Sequence, residues 1–90
     1  MHPEKIKSCV ALYRQELRVA NVKPTAYRDD FLYQGIDYAL GNCYELLDQI
    51  EDLIQKGRID DTLITFGQVQ GILFSNGIYS RRDLKEHRNA

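Results

Sequence analysis

The side chains able to do chemistry are few, and their spacing suits little of it. His2 and His87 stand near the two ends of the ninety-residue chain, with no catalytic partner at a diagnosable spacing. Acid–base work needs a group held in a defined, partly desolvated place, so both are expected to be solvated surface histidines. Cys9 and Cys43 have no Cys-x-x-Cys spacing and no His partner at a spacing that suggests thiol catalysis. They fall on apolar faces and are expected as two buried thiols in a reducing compartment rather than as a disulfide. Glu45, Asp48 and Asp52 lie at i, i+3 and i+7 and so share one helical face. A divalent metal there needs matching acids from a second helix, and only Asp60 and Asp61 are on offer, where they cap a helix more naturally. No catalytic residue, metal or cofactor is therefore assigned.

Binding chemistry has more to work with. The three acids form a ridge without interspersed base: a solvated face in the simpler reading, a dock for a basic partner surface in the sharper one. Tyr27, Tyr33 and Tyr38 sit with Arg28 and Phe31, and Tyr44 follows. Tyr and Arg are residues that interfaces favour, because they bury area while keeping a polar tip. Half of these aromatics are expected only to edge the core. Stacking on single-stranded bases would use the same residue types, but Asp29, Asp30 and Asp37 repel phosphate there. Arg14 and Arg18 on the first helix, with Arg81, Arg82, Lys85 and Arg88 near the end, are the candidate nucleic-acid contacts. Arg81 and Arg82 occupy a first helical turn, where the dipole disfavours cations, and this favours a binding role. Gly67 and Gly71, one turn apart, make a flat strip extended by Ser75, expected to allow close packing against the second helix.

These residues need helices to position them. Ile6, Val10, Tyr13 and Leu17 repeat at four-three-four behind Pro3, which suits a first helical turn. This first helix should stop near Asn21, because Pro24 disfavours helix at Lys23. Leu32, Ile36, Ala39, Cys43, Leu46, Ile50 and Leu53 then alternate at four and three, a heptad seam on one long central helix. It should begin with Thr25 or Asp29 as cap, pass Gly41 and end near Lys56 before Gly57. At about 25 residues it would run ~38 Å, longer than its neighbours, and part of the seam would lack cover within one copy. Asp60 or Asp61 should cap a third helix bearing Leu63, Phe66, Gln70 and Leu73 in one line. Asn76-Gly77-Ile78 reads as its stop, with Ile78 folding back toward Leu73. Ser80-Arg81-Arg82-Asp83 reads as a capping box for a short fourth helix, with Tyr79 and Leu84 at the staple positions.

The expected fold is all-α: one domain over residues 1–90, three main helices in an antiparallel bundle plus a short C-terminal helix. Hydrophobic content of 43% and charged content of 28% suit a folded chain. A net charge of -1 gives no bulk attraction to nucleic acid or anionic membrane. The charge is uneven: residues 1–28 hold six basic side chains against two acidic, and residues 29–55 hold seven acidic and no Lys or Arg. There is no signal-peptide pattern and no apolar run of the ~20 residues that span a membrane, so a cytoplasmic protein is expected.

One stretch is familiar. Phe66-Gly67-Gln68-Val69-Gln70-Gly71-Ile72-Leu73, then Gly77-Ile78-Tyr79-Ser80, then Asp83-Leu84 resembles the C-terminal third of small helical accessory proteins of temperate enterobacterial phages. The resemblance implies a phage or prophage protein made in the bacterial cytoplasm that acts by binding a host protein. It assigns no residue roles. The expected function is thus non-enzymatic: a homo-oligomer, with a dimer favoured, that binds a host protein and modulates or inhibits it. The alternative is a nucleic-acid-binding regulator using the basic first helix and the terminal Arg cluster.

Overall fold

Three helices end by the same device, and in each case one residue accepts the left-handed backbone that the device needs. Asn21, at φ 59°, closes α1 (Pro3–Val19): the Val22 amide donates to the Leu17 carbonyl and the Asn21 amide to that of Arg18. Gly57, at φ 73°, closes α2 (Ile36–Gln55) through the same pair of bonds, from Arg58 to Leu53 and from Gly57 to Ile54. Gly77, at φ 75°, closes α3 (Ile59–Ser75), with Ile78 bonded back to Leu73 as the sequence predicts. These are Schellman stops, which satisfy the last orphan carbonyls of a helix. Asn21 itself ends α1, three residues before Pro24 is reached. A fourth helix, α4 (Arg81–Asn89), follows directly.

The computed structural model describes residues 1–24 and 36–89, and of residues 36–38 the backbone alone. Its four helices, with no strand among the described residues, form the expected all-α bundle. α1 packs on α2, α2 packs on α3 across the tight Gly57 turn, and α4 lies against both α1 and α3. The core joins Ile6, Val10, Tyr13 and Leu17 of α1 to Leu40, Cys43, Leu46, Leu47 and Ile50 of α2. Phe66, Val69 and Leu73 of α3 and Leu84 of α4 complete it.

The central helix is continuous through Gly41, which is buried. Twenty residues give it ~30 Å. The described part of its seam does not lack cover: Ala39, Cys43, Leu46 and Ile50 are buried within one copy and Leu53 is half-buried. The expectation of an apolar edge left for a second molecule is therefore corrected from Ala39 onward, because α1 and α3 both close over it, while the side chain of Ile36 lies outside the described residues. Leu32, Gly35 and the candidate caps Thr25 and Asp29 lie outside the described residues.

Three local expectations on α3 are also corrected. Neither Asp60 nor Asp61 is its cap: Arg58 holds that place without a side-chain hydrogen bond, and both acids fall inside the first turn. They meet the positive end of the dipole there. Leu63 is not in the core line but 38% exposed. Gly67 and Gly71 do not serve close packing against α2. Both are exposed, and a Cβ added at either would meet nothing within 4 Å.

Candidate functional site

Nine residues are too few for a helix to stand alone in water, so α4 has to be held in place. At its start the Asp83 amide donates to the Ser80 hydroxyl (3.1 Å) while the Ser80 amide donates to the Asp83 carboxylate (3.0 Å), the predicted box. That backbone bond from Ser80 is the main cause holding the Asp83 carboxyl below its usual range. At its end sits a residue that sequence reasoning placed on the surface. His87 is half-buried, and its Nδ1 shares a hydrogen bond with the Tyr13 hydroxyl (2.9 Å). The Gln70 amide nitrogen donates to the same phenol oxygen (3.1 Å) and, more loosely, to the Leu84 carbonyl (3.5 Å). Since that nitrogen can only donate, the phenol oxygen accepts from Gln70. The Tyr79 ring meets the His87 ring edge-on at 4.7 Å, and the Cys9 thiol reaches the His87 carbonyl at 3.5 Å. Tyr13 is fully buried, and burial pushes its phenol up to about 12. This knot ties α1, α3 and α4 at one point.

What the knot positions is a surface. Outward from the core, α3 presents Leu63, Ile64, Gly67, Gly71 and Phe74 on one stripe. Ile64 is 63% exposed and Phe74 45%. Residues 62–75 contain no Lys, Arg, Asp, Glu or His, whereas a solvated helix face ordinarily carries charge. At the C-terminal end of the stripe, Gly71 and Phe74 form one wall of a groove of about 510 Å³, whose other wall is Arg81, Arg82, Lys85 and Arg88 of α4. None of these four cations has an ion-pair partner among the described residues. At the opposite end, exposed Asp60 likewise has no ion pair among them. The surface is apolar in the middle, acidic at one end and basic at the other.

The other predicted site residues are mostly engaged inside the chain. Arg14 bridges Asp48 (2.7 Å) and Glu51 (2.9 Å), so a candidate nucleic-acid contact and part of the acidic ridge neutralise one another across α1 and α2. Asp52 pairs with Lys56 at 2.8 Å. Glu45 is half-buried on the same helix. The Tyr44 hydroxyl donates to the Val22 carbonyl (2.9 Å), which ties the end of α1 to α2. Arg18 is exposed. Tyr27, Arg28, Phe31 and Tyr33 lie outside the described residues, as does the side chain of Tyr38. Both cysteines are free and buried, and burial raises both thiols, Cys43 to about 12. Among the described residues no three His, Cys, Asp or Glu side chains gather as a metal cage. No described helix is long and apolar enough to cross a membrane.

Ile64, Leu63 and Phe74 are the surface residues that sequence reading missed. Their signal was present in the uncharged run from 62 to 75, which was assigned to core lines instead. The chain matches no protein-family model, and no curated protein or solved structure matches it.

Proposed function

We propose that the protein is a non-enzymatic binding module that works by docking another protein on the outer face of α3. One observation carries this reading: Leu63, Ile64 and Phe74 stand exposed around two open glycines on a helix without a charge from 62 to 75. Exposed apolar patches rimmed by polar residues are the ordinary mark of a protein contact. The cations of α4 beside Phe74 favour a partner with acidic groups at the rim. The segment from Phe66 to Leu84 that resembles phage accessory proteins includes Gly67, Gly71 and Phe74 of this face, and a host protein is the partner that the resemblance implies. Modulation or inhibition would follow from occupying that protein's own interaction surface.

The test compares the wild-type chain with Ile64→Lys on affinity beads in lysate of an enteric bacterium. A protein retained by the first and lost with the second, at unchanged helicity and thermal midpoint, is the expected result. Equal retention by both, or retention by neither, refutes the reading.

A second reading is favoured by the groove alone, since an aromatic ring beside four unpaired cations suits a single-stranded base and its phosphates. Binding of that kind weakens with salt, at about 0.7 log units per phosphate contact per log unit of salt. Anisotropy titrations with single-stranded DNA and RNA across a salt series measure it. Arg81→Ala with Arg82→Ala should flatten the slope.

A further inference from the structure

We infer that the outer face of α3 is closed by the same face of a second copy of this chain, with the two helices antiparallel about a twofold axis midway between Gly67 and Gly71. This rests on the docking reading above and names the occupant. The spacing along the face is palindromic: Ile64, Gly67, Gly71 and Phe74 succeed one another at three, four and three residues. A twofold axis through the centre of that pattern sets Ile64 against Phe74 of the second copy and Gly67 against its Gly71. An isologous contact requires this self-matching of one patch. With no Cβ at the centre, the two backbones can reach the ~8 Å end of helix–helix distances, and the larger side chains pack on either side. Those central sites are open in one copy, where nothing stands within 4 Å.

Charge sets the direction. Each face begins at unpaired Asp60 and finishes beside unpaired Arg81, Arg82, Lys85 and Arg88. Antiparallel pairing lays the acidic end of each copy along the basic groove of the other, twice by symmetry. Parallel pairing would put acid on acid and cation on cation. The helix dipoles favour the antiparallel arrangement as well. A nucleic acid would answer the cations but leave Leu63 and Ile64 in water. A helix of 17 residues is ~25 Å long, and its stripe alone falls short of the ~800 Å² per partner of a standard interface. The rest must come from α4, and the dimer belongs at the weak end of the range, in equilibrium with monomer at tens to hundreds of micromolar.

Sedimentation equilibrium of the full chain over that range tests the inference, with circular dichroism on every variant. Wild type should show a monomer–dimer equilibrium. Gly67→Leu, at a site where an added Cβ meets nothing within 4 Å and which is exposed in one copy, should be folded and monomeric. Asp60→Arg should weaken dimerisation about tenfold, as should Arg81→Asp with Arg82→Asp, each turning two exposed attractions into repulsions. Mixed in equal amounts, these two proteins should recover a heterodimer of wild-type strength, because one charge pair is then matched as in the wild type and the other is matched in reverse. A wild-type chain that stays monomeric throughout overturns the inference, and so does a dimer indifferent to Gly67→Leu or a mixture that fails to recover. Monomeric wild type whose capture of another protein still depends on Ile64 would sink the second copy while leaving the docking reading intact.

Discussion

Removing one oxygen atom should unfasten α4 and the groove it builds. Tyr13→Phe deletes the hydroxyl that receives Gln70 and is hydrogen-bonded to His87 while keeping the ring that stacks near Phe66 at 6.2 Å and Tyr79 at 5.5 Å. Two hydrogen bonds at a net ~1 kcal/mol each are lost, and a buried amide is left with one long bond to Leu84, so the cost should be about 2–3 kcal/mol. For a domain of this size that lowers Tm by roughly 10–20 °C. Thermal and urea unfolding, followed by circular dichroism, give the number. The sharper assay is the double-mutant cycle with Gln70→Leu. Removing both partners of a buried bond is nearer neutral than removing one, so the double variant should cost at least ~1 kcal/mol less than the sum of the singles. Native-state hydrogen exchange should then show α4 amides opening before those of α1 and α2. A Tyr13→Phe cost under ~0.5 kcal/mol, or an additive cycle, would refute the claim that the knot fixes α4.

The remaining expectations concern the box, the thiols and alkali. Ser80→Ala should cost about 1 kcal/mol and reduce α4 helicity, read by chemical shifts of residues 81–89. Because the Asp83 carboxyl is depressed below 3.8, the contribution of the box is present above that pH and lost as pH falls through the lower folded value. Asp83→Asn should blunt that acid transition. Tyr13 is raised from 10.0 to about 12 and Cys43 from 9.0 to about 12. The unfolded chain therefore loses these protons first, and stability full below pH 9 should fall as pH rises toward 12. Tyr13→Phe should flatten the upper part of that fall in urea titrations. Iodoacetamide at neutral pH should leave both buried thiols intact until urea exposes them, and rapid native labelling of Cys43 would contradict the packing of α2.

The elements were legible because each was written twice, once in apolar spacing and once in end signals. Pro3 and the repeat from Ile6 to Leu17 fix α1, Gly57 and Gly77 fix two stops, and Ser80 with Asp83 fixes the start of α4. Orientation was harder to read. A heptad seam states that one edge of α2 is apolar, not whether a sister helix or a second molecule covers it, and here Leu46 and Ile50 are covered at home. His87 was misread for a related reason. Position near a terminus predicts exposure only where nothing docks the end, and the phenol of Tyr13, seventy-four residues away, does so. Gly67 and Gly71 permit close approach on whichever side they face, and spacing alone does not say which side that is. The acids of α2 read as a free ridge until Arg14 from another helix was found between Asp48 and Glu51.

That difference in side reorganises the argument for association. A helix carrying apolar residues all round belongs in an interior, and α3 comes close: Phe66, Val69 and Leu73 enter the core of its own chain while Leu63, Ile64 and Phe74 point away from it. Leaving those three exposed forgoes the stabilisation that burial would give. The basic wall beside Phe74 is retained in the same way, although Arg81 and Arg82 oppose the dipole of the helix they begin. Both features work against the isolated chain in the same corner of the molecule. An occupant that covers the apolar stripe and brings acid to the groove offsets the two costs together, and the Asp60 end of a second α3 has both properties.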